Sequence, residues 1–143
     1  MQKATRRKVA ELSAYTVFIS YSSKELWIAG QIAKEIELLG AKSWLDKKDL
    51  RGGDEIRRTV KRGIRSSQEA VILLSAQSIT SQWVIFEVGV AYAYGKRITL
   101  ILNNIAPDSL APMQGVKAID LNDFDDFLLE LTERVTRKRS VGK

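Results

Sequence analysis

Residues 70–102 read AVILLSAQSITSQWVIFEVGVAYAYGKRITLIL, and this stretch decides the fold class. Its two ends, Ala70–Leu74 and Ile98–Leu102, are short apolar runs rich in β-branched residues, which is typical of buried strands. Between them, residues 83–94 are apolar over a length that favours a helix. A strand–helix–strand unit whose strands lack polar alternation indicates a parallel sheet that is covered on both faces.

The same alternation runs through the rest of the chain. Three further apolar segments are expected to be strands: Tyr15–Ser20, Lys42–Leu45 and Val116–Leu121. Three segments with apolar residues at helical spacing are expected to be helices: 26–39, 54–64 and 124–135. The chain is therefore predicted to be α/β, a flavodoxin-like doubly wound five-stranded parallel sheet with helices on both faces. Ligands of such sheets bind at the carboxyl ends of the strands.

Polar residues and a glycine mark the expected helix ends. Ser22 or Ser23 is expected to cap the first helix, Asp54 the second and Ser81 the third. Gly95 is expected to end the third helix, because glycine readily takes the left-handed conformation that closes a helix.

The basic residues lie mostly at the two ends of the chain. Of the net charge of +6, residues 1–14 carry +3 and residues 136–143 carry +4, which leaves −1 for residues 15–135. We expect one domain over residues 15–135, between a basic polar leader and a basic tail. Because charged tails are more often solubilising than specific, no specific nucleic-acid binding is expected.

The hydropathy pattern predicts no membrane-spanning segment. No apolar run approaches the ~18 residues that a membrane-spanning helix needs. The basic N-terminal segment is not followed by the apolar region of a secretory signal. We therefore expect a soluble, cytoplasmic protein without a membrane span.

The composition excludes several kinds of site. The chain has no cysteine, which excludes disulfides, thiol nucleophiles and zinc–thiolate sites. It also has no histidine, the commonest general base and metal ligand. Catalysis must then rest on carboxylates, hydroxyls, amines or backbone dipoles, and no metal site is expected. Neither a G-x-G-x-x-G fingerprint nor a P-loop occurs, so no tightly held cofactor is expected.

Glu87 carries the single charge of residues 83–94. A helix that is apolar on nearly every face is normally buried on most of its circumference. Burying an ionised carboxylate is costly unless a partner or a ligand satisfies it, so Glu87 is a candidate functional residue. Trp83, four residues earlier, shares its helical face. The alternative is a glutamate that is solvated or paired with a lysine or arginine.

A flavodoxin-like sheet first suggests a phosphorylated receiver domain. Its chemistry needs an acidic pair after the first strand and an aspartate at the end of the third. This chain has Ser20-Tyr21 and Leu74-Ser75 at those places, so a receiver function is excluded.

Three blocks of the sequence resemble one known family. They are VFISYSS at 17–23, WLDKKDLRGGDEI at 44–56 and SITSQWVIFEVGVA at 78–91, in the order and with the spacing of that family. Over about residues 15–135 the chain resembles a TIR (Toll/interleukin-1 receptor) domain of the bacterial NAD-cleaving type. The resemblance implies a five-stranded parallel sheet, a mobile loop after the second strand and, in many members, cleavage of the nicotinamide–ribose bond of NAD.

The resemblance also implies roles for individual residues. The essential glutamate of the NAD-cleaving members lies in a W-x-x-x-E pattern, which here runs from Trp83 to Glu87, so the catalytic role falls to Glu87. The expected substrate-binding residues are Phe18, Ile19, Ser20, Tyr21, Lys48, Leu50, Arg51, Ser75, Trp83 and Phe86.

These candidates have structural alternatives. Trp83 is expected to stack on a ring of the substrate, and the loop cations Lys48 and Arg51 to meet its diphosphate. Phe18 and Ile19 have the alternative of being core residues of the first strand, and the two cations that of being merely solvated. Phe86 is either a wall of the pocket or part of the core, and Trp44 is expected to pack under the loop.

One carboxylate suits the implied reaction. Ordinary glycoside hydrolysis uses two acids, one of which protonates a poor leaving group. Nicotinamide departs as a neutral molecule from a positively charged pyridinium sugar, so no general acid is required. One carboxylate can orient the ribose hydroxyls and stabilise the developing oxocarbenium ion. The apolar surroundings of Glu87 would tend to raise its pKa, and a nearby base or substrate charge would offset this.

The resemblance, with which that chemistry agrees, implies the expected function. The products are nicotinamide and ADP-ribose or a cyclic ADP-ribose isomer, made in immune-type signalling of which antiphage defence is one form. The alternative is a non-enzymatic TIR interaction module that signals by homotypic assembly. Arg58, Lys61, Arg62 and Arg65 are expected on one face of the second helix. This face is either solvated or a contact surface, since TIR domains generally work by self-association.

Overall fold

The computed structural model describes residues 14–45, 53–106 and 116–141, apart from the side chains of residues 53–56 and 139–141. Within these ranges the strands are β1 (Thr16–Ser20), β2 (Lys42–Leu45), β3 (Glu69–Leu74), β4 (Arg97–Leu102) and β5 (Lys117–Asp120). The α-helices of the same ranges are α1 (Leu26–Leu38), α2 (Gly53–Ser66), α3 (Gln82–Ala93) and α4 (Phe124–Val141). Short 3₁₀ turns, Ser23–Glu25 and Leu121–Asp123, precede α1 and α4.

The strands form one sheet in the order β2-β1-β3-β4-β5, and every neighbouring pair is parallel. The chain passes from β1 to β2 at the edge of the sheet and then returns to β3 on the other side of β1. The winding therefore reverses between β1 and β3. Helices α1 and α4 pack on one face of the sheet, and α2 and α3 pack on the other. The predicted fold class is confirmed.

Side chains of β1 alternate between the two layers of the core. Val17 and Ile19 pack with residues of α1 and α4, whereas Phe18 packs with residues of α2 and α3. Ser20, two residues after Phe18, shares its face because side chains on a strand alternate with a period of two. The end of β1 thus presents a hydroxyl to the side of the sheet that carries α3.

Two of the expected caps are wrong. Ser22 stands at the N-cap position of the 3₁₀ turn but makes no side-chain capping hydrogen bond, and Glu25 stands in front of α1 instead. Helix α2 begins at Gly53, so Asp54 lies in its first turn rather than at the N-cap. The other two expectations are confirmed. The Ser81 side chain accepts a hydrogen bond from the backbone N–H of Val84, and Gly95 follows α3 with a φ of 67°.

The amino edge of the sheet contains a buried ion pair. Glu69, the first residue of β3, is 0% exposed. Arg134 of α4 donates hydrogen bonds from Nε and Nη2 to its two carboxylate oxygens, at 2.7 and 2.9 Å. The Tyr15 hydroxyl donates a further hydrogen bond to Oε2. Burial, together with the Glu69 carboxylate, raises the pKa of Tyr15 well above its usual range. This network ties α4 to the start of β3.

The helices show where the basic tail becomes part of the fold and whether a segment could cross a membrane. Helix α4 continues to Val141, so helical backbone extends through most of the basic tail. No helix in the described ranges has the length and apolar character that crossing a membrane requires.

Candidate active site

Glu87 lies in the middle of α3 and is 0% exposed. Its Oε1 accepts a hydrogen bond of 2.7 Å from the Ser20 hydroxyl at the end of β1. The predicted burial of the carboxylate is confirmed, and the solvated alternative is wrong. A hydroxyl that donates to a buried carboxylate compensates part of the solvation that the carboxylate loses.

The sequence of α3 explains why a glutamate occupies an interior position. Val84, Glu87 and Ala91 are the buried residues of this helix, and their spacing of three and four places them on one face. Val84 and Ala91 pack into the core beneath α2 and α3. Glu87 therefore takes a core position between two small apolar residues, where the neighbouring Ser20 supplies a polar partner.

Trp83 and Phe86 form an aromatic pair in the first turns of α3. Their ring centroids are 5.6 Å apart and the rings are tilted by 37°. Both side chains are partly buried and pack against the core on the Glu87 side of the sheet. Trp83 precedes Glu87 by one helical turn, as its spacing predicts.

Phe18 belongs to the core rather than to an open surface. It is fully buried, and its ring stacks on Trp44 at 4.9 Å with an interplanar angle of 17°. Gly63 of α2 lies against the same indole, because a Cβ at this position would be 2.8 Å from Cε2 of Trp44. Trp44 therefore packs between Phe18 and α2, and the loop under which it is expected to pack lies outside the described residues.

Ile19 and Tyr21 belong to the other layer of the core. Both are buried in the core cluster that contains the residues of α1 and α4, on the opposite face of the sheet. The physical reason is the alternation of a strand, since consecutive residues of β1 cannot all face one site. Among the four neighbouring candidates, the hydrogen bond to Glu87 described above comes from Ser20.

Ser75 lies directly after β3, and its hydroxyl donates a hydrogen bond of 2.8 Å to Oε1 of Glu25. Glu25 is 6% exposed, although its place in the sequence is typical of a solvated acid in a first helical turn. Sequence analysis therefore missed Glu25 as a buried polar residue at the carboxyl edge. No local signal marks it, because its partner lies fifty residues away along the chain.

The loop candidates Lys48, Leu50 and Arg51 lie outside the described residues, so their roles stay predictions. The four cations expected on one face of the second helix all belong to α2 and are exposed: Arg58, Lys61, Arg62 and Arg65. Among the residues whose placement is described, no group of three or more acidic side chains is arranged to hold a metal ion.

The candidate site is thus a buried carboxylate at the carboxyl edge of the central strands. Ser20 ends β1 and orients Glu87, while Trp83 and Phe86 place aromatic surface beside it. In a doubly wound sheet this edge, next to the strands between which the winding reverses, is where ligands bind. The arrangement can bind a cationic or hydroxylated ligand and stabilise positive charge that develops on it.

Comparison with known proteins points to one family. A family model described as TIR domain matches residues 17–132. The chain is 23% identical over 146 residues to the probable 2' cyclic ADP-D-ribose synthase TcpO of Methanobrevibacter olleyae, over 94% of this chain and 42% of that protein. It is 26% identical over 137 residues to the NAD(+) hydrolase TcpA of a Theionarchaea archaeon, over 89% of this chain and 41% of that protein. The chain spans less than half the length of these curated relatives.

Solved structures agree with the sequence comparisons at the level of the fold. The crystal structure of the TIR domain of the Toll-related receptor TRR-2 from Hydra magnipapillata matches with a TM-score of 0.63 at 18% identity. The match covers 88% of this chain and 99% of that one. Because the family model covers most of the sequence and the sheet has the same architecture, the chain belongs to the TIR domain family.

Proposed function

We propose that this domain cleaves the bond between nicotinamide and ribose in NAD, with Glu87 as the catalytic residue. The observation that carries the proposal is the fully buried Glu87 carboxylate, which the Ser20 hydroxyl holds at the carboxyl edge of β1. A buried charge is costly, and a domain that needed only to fold would be at least as stable with an apolar residue there. A role in binding or catalysis therefore explains the carboxylate better than a role in folding.

The chemistry needs few groups. The bond between C1′ of the ribose and the ring nitrogen breaks, and its electron pair neutralises the pyridinium ring, so that nicotinamide leaves neutral. Glu87 stabilises the positive charge that develops on the ribose, and a charge interaction of this kind is stronger in a buried site than in water. Water then adds to C1′ with loss of a proton to give ADP-ribose. Capture by an atom of the same molecule gives a cyclic isomer instead.

The similarity to TcpO and TcpA supports this reaction class. Those two proteins are named as a probable 2' cyclic ADP-D-ribose synthase and an NAD(+) hydrolase. The linear and the cyclic product both accord with the chemistry of a single carboxylate, and the choice between them belongs to the product assay below.

The remaining candidates have supporting parts in the proposal. Trp83 and Phe86 supply aromatic surface for stacking on a ring of the substrate. Lys48 and Arg51 meet the diphosphate, and Leu50 covers the site from the same loop. We place this activity in cytoplasmic immune-type signalling, with antiphage defence as one form of it.

Self-association is the second candidate function, and exposed apolar side chains favour it. Ile85 and Tyr92 are 50% and 76% exposed, and they lie about two helical turns apart on the outer side of α3. Large exposed apolar side chains are typical of protein contact surfaces when they cluster. A purely structural TIR module would use such surfaces, and the basic face of α2, without any turnover of NAD.

One assay tests the enzymatic proposal. The protein is incubated with NAD at high protein concentration, and nicotinamide, ADP-ribose and cyclic products are separated by chromatography. Glu87→Gln keeps the size of the side chain and should abolish nicotinamide release, as should Glu87→Ala. Glu133→Gln, which removes an exposed carboxylate on α4, is the matched control and should retain the wild-type rate. Equal turnover by the wild type and both Glu87 variants would refute the assignment.

A further inference from the structure

Glu25 is a second buried carboxylate at the carboxyl edge of the sheet. It ends the 3₁₀ turn after β1, and Oε1 is held by the Ser75 hydroxyl at 2.8 Å. Within the part of the chain that the structure describes, Oε2 of Glu25 is buried and has no hydrogen-bond partner. Buried polar atoms of folded proteins nearly always have a partner, so this oxygen requires an explanation, and a ligand bound at the carboxyl edge of the sheet supplies one.

The partner of Glu25 is itself rigidly held. The Ser75 hydroxyl accepts hydrogen bonds from the backbone N–H groups of Gln77 and Ser78, each at 3.3 Å. The backbone N–H of Ser75 donates to the Ser78 hydroxyl at 2.7 Å. This tight turn after β3 fixes the hydroxyl that orients Glu25, so the carboxylate is preorganised before any ligand arrives.

The position of the pair is that of a ligand site. Glu25 follows β1 and Ser75 follows β3, and the winding of the sheet reverses between these two strands. Glu25 stands directly before α1, which packs on one face of the sheet, whereas Glu87 belongs to α3 on the other face. The two carboxylates therefore approach the carboxyl edge of β1 from opposite faces. An extended ligand that lies across this edge can meet both of them.

The chemistry of a carboxylate restricts which part of the ligand it takes. A carboxylate accepts hydrogen bonds and repels the anionic diphosphate. A dinucleotide offers donors in its ribose hydroxyls, in the amino group of adenine and in the carboxamide of nicotinamide, and the ribose hydroxyls are the ones that acidic residues bind in other dinucleotide sites. We propose that Glu25 is a substrate-binding residue whose Oε2 accepts a hydrogen bond from a ribose hydroxyl of the dinucleotide while Ser75 holds Oε1. This inference rests on the proposed function, because it takes NAD as the ligand.

A comparison of NAD with NADP distinguishes which of the two riboses Glu25 binds. NADP carries a phosphate in place of the 2′ hydroxyl hydrogen of the adenosine ribose. If Glu25 binds the adenosine ribose, its charge repels that phosphate and the domain prefers NAD, as acidic residues do in other dinucleotide sites. If Glu25 binds the ribose of nicotinamide, the two dinucleotides depend on it equally.

Binding measurements without turnover test the inference. Isothermal titration calorimetry with NAD and with NADP is performed on Glu87→Gln protein, with and without Glu25→Gln. Replacing a charge-assisted hydrogen bond by a neutral one is expected to weaken NAD binding about tenfold or more. Glu35→Gln, at an exposed position of α1, is the matched control and should leave binding unchanged. A loss confined to NAD assigns the adenosine ribose, and an equal loss for NAD and NADP assigns the ribose of nicotinamide.

Other outcomes overturn the inference and separate it from the proposed function. Unchanged NAD binding in the Glu25→Gln protein would refute a substrate-binding role while nicotinamide release by the wild type still supported the proposed reaction. Weaker binding together with a lowered thermal unfolding midpoint, matched by Ser75→Ala, would make Glu25 a structural residue instead. Absence of both NAD binding and nicotinamide release in the wild type would refute the proposed function and the inference together.

Discussion

The hydroxyl of Ser20 donates a hydrogen bond of 2.7 Å to Oε1 of Glu87, and this contact joins the last residue of β1 to the middle of α3. Both side chains are 0% exposed. A hydrogen bond to a charged group typically contributes about 1.5–3 kcal/mol. Ser20 therefore compensates part of the desolvation of Glu87 and fixes the direction in which the carboxylate points.

Removal of this hydroxyl should impair turnover more than folding. Ser20→Ala is expected to lower kcat for nicotinamide release by about tenfold to a hundredfold, which is the rate equivalent of the lost hydrogen bond. Ser23→Ala, at an exposed position in the turn that follows, is the control and should match the wild type. A wild-type kcat in the Ser20→Ala protein would show that the hydroxyl has no share in the reaction.

Two helical glycines should respond to alanine in opposite directions. A Cβ at position 63 would lie 2.8 Å from Cε2 of Trp44, so Gly63→Ala forces the indole or α2 to move. We expect the free energy of unfolding to fall by about 1–3 kcal/mol. At Gly30 of α1 an added Cβ has no atom within 4 Å, and Gly30→Ala should raise the free energy of unfolding by about 0.5–1 kcal/mol. Urea unfolding measures both, and an unchanged or higher stability of the Gly63→Ala protein would contradict the packing described for Trp44.

Tyr15 should make stability depend on alkaline pH. Burial, and then the adjacent Glu69 carboxylate, raise the pKa of this phenol above its ordinary value of 10.0. The folded state thus holds the phenol proton more tightly than the unfolded state does. This contribution to stability is complete below about pH 10 and is lost as the pH rises above it toward the folded pKa. Urea midpoints measured from about pH 9 upward should stay constant at first and fall once the pH exceeds about 10, because tyrosine in the unfolded chain loses its proton there.

The matched variants isolate the residue responsible. Tyr15→Phe should remove this part of the alkaline slope, at the expense of the hydrogen bond to Glu69. Tyr92→Phe changes an exposed tyrosine and should keep the wild-type slope. An unaltered slope in the Tyr15→Phe protein would show that another group titrates.

Two ion pairs should differ sharply in their contribution to stability. Arg134→Met leaves the buried Glu69 carboxylate without its bidentate partner, and we expect the free energy of unfolding to fall by about 3–5 kcal/mol. Lys117 and Glu130 form a pair whose side chains are 46% and 48% exposed. Lys117→Met should therefore have little effect, because exposed pairs are screened by water and salt. Chemical unfolding measures the free energy of unfolding of both variants. Similar losses in the two proteins would contradict the expectation that burial decides the contribution of each ion pair.

Much of the fold could be predicted because the strands are buried on both faces. Ala70–Leu74 and Ile98–Leu102 are short, mainly apolar runs without polar alternation, which are typical of the strands of a parallel sheet covered by helices. The burial of Glu87 was predictable for a related reason, since a helix that is apolar on nearly every face is normally buried on most of its circumference. Both predictions used local composition alone, and the structure confirms both.

The rest of the candidate site depended on information that sequence composition does not carry. Phe18 and Ile19 are adjacent in β1 and equally apolar, but the pleat sends them to opposite layers of the core. The burial of Glu25 depends on Ser75, and the pairing of β1 with β3 brings these distant residues to the same edge. Contacts between separate strands decide such cases, and a single sequence states them only indirectly.

Strand β3 connects the buried ion pair at the amino edge of the sheet with the polar contacts at its carboxyl edge. It begins at Glu69, in the buried ion pair with Arg134, and ends one residue before Ser75 at the opposite edge, roughly 20 Å away for six extended residues. Substitutions at sites so far apart usually have additive effects on stability. A substitution in the ion pair is therefore expected to change stability without altering the polar contacts near Ser20. Substitutions at the carboxyl edge can in turn be examined separately from the contacts that join α4 to the start of the same strand.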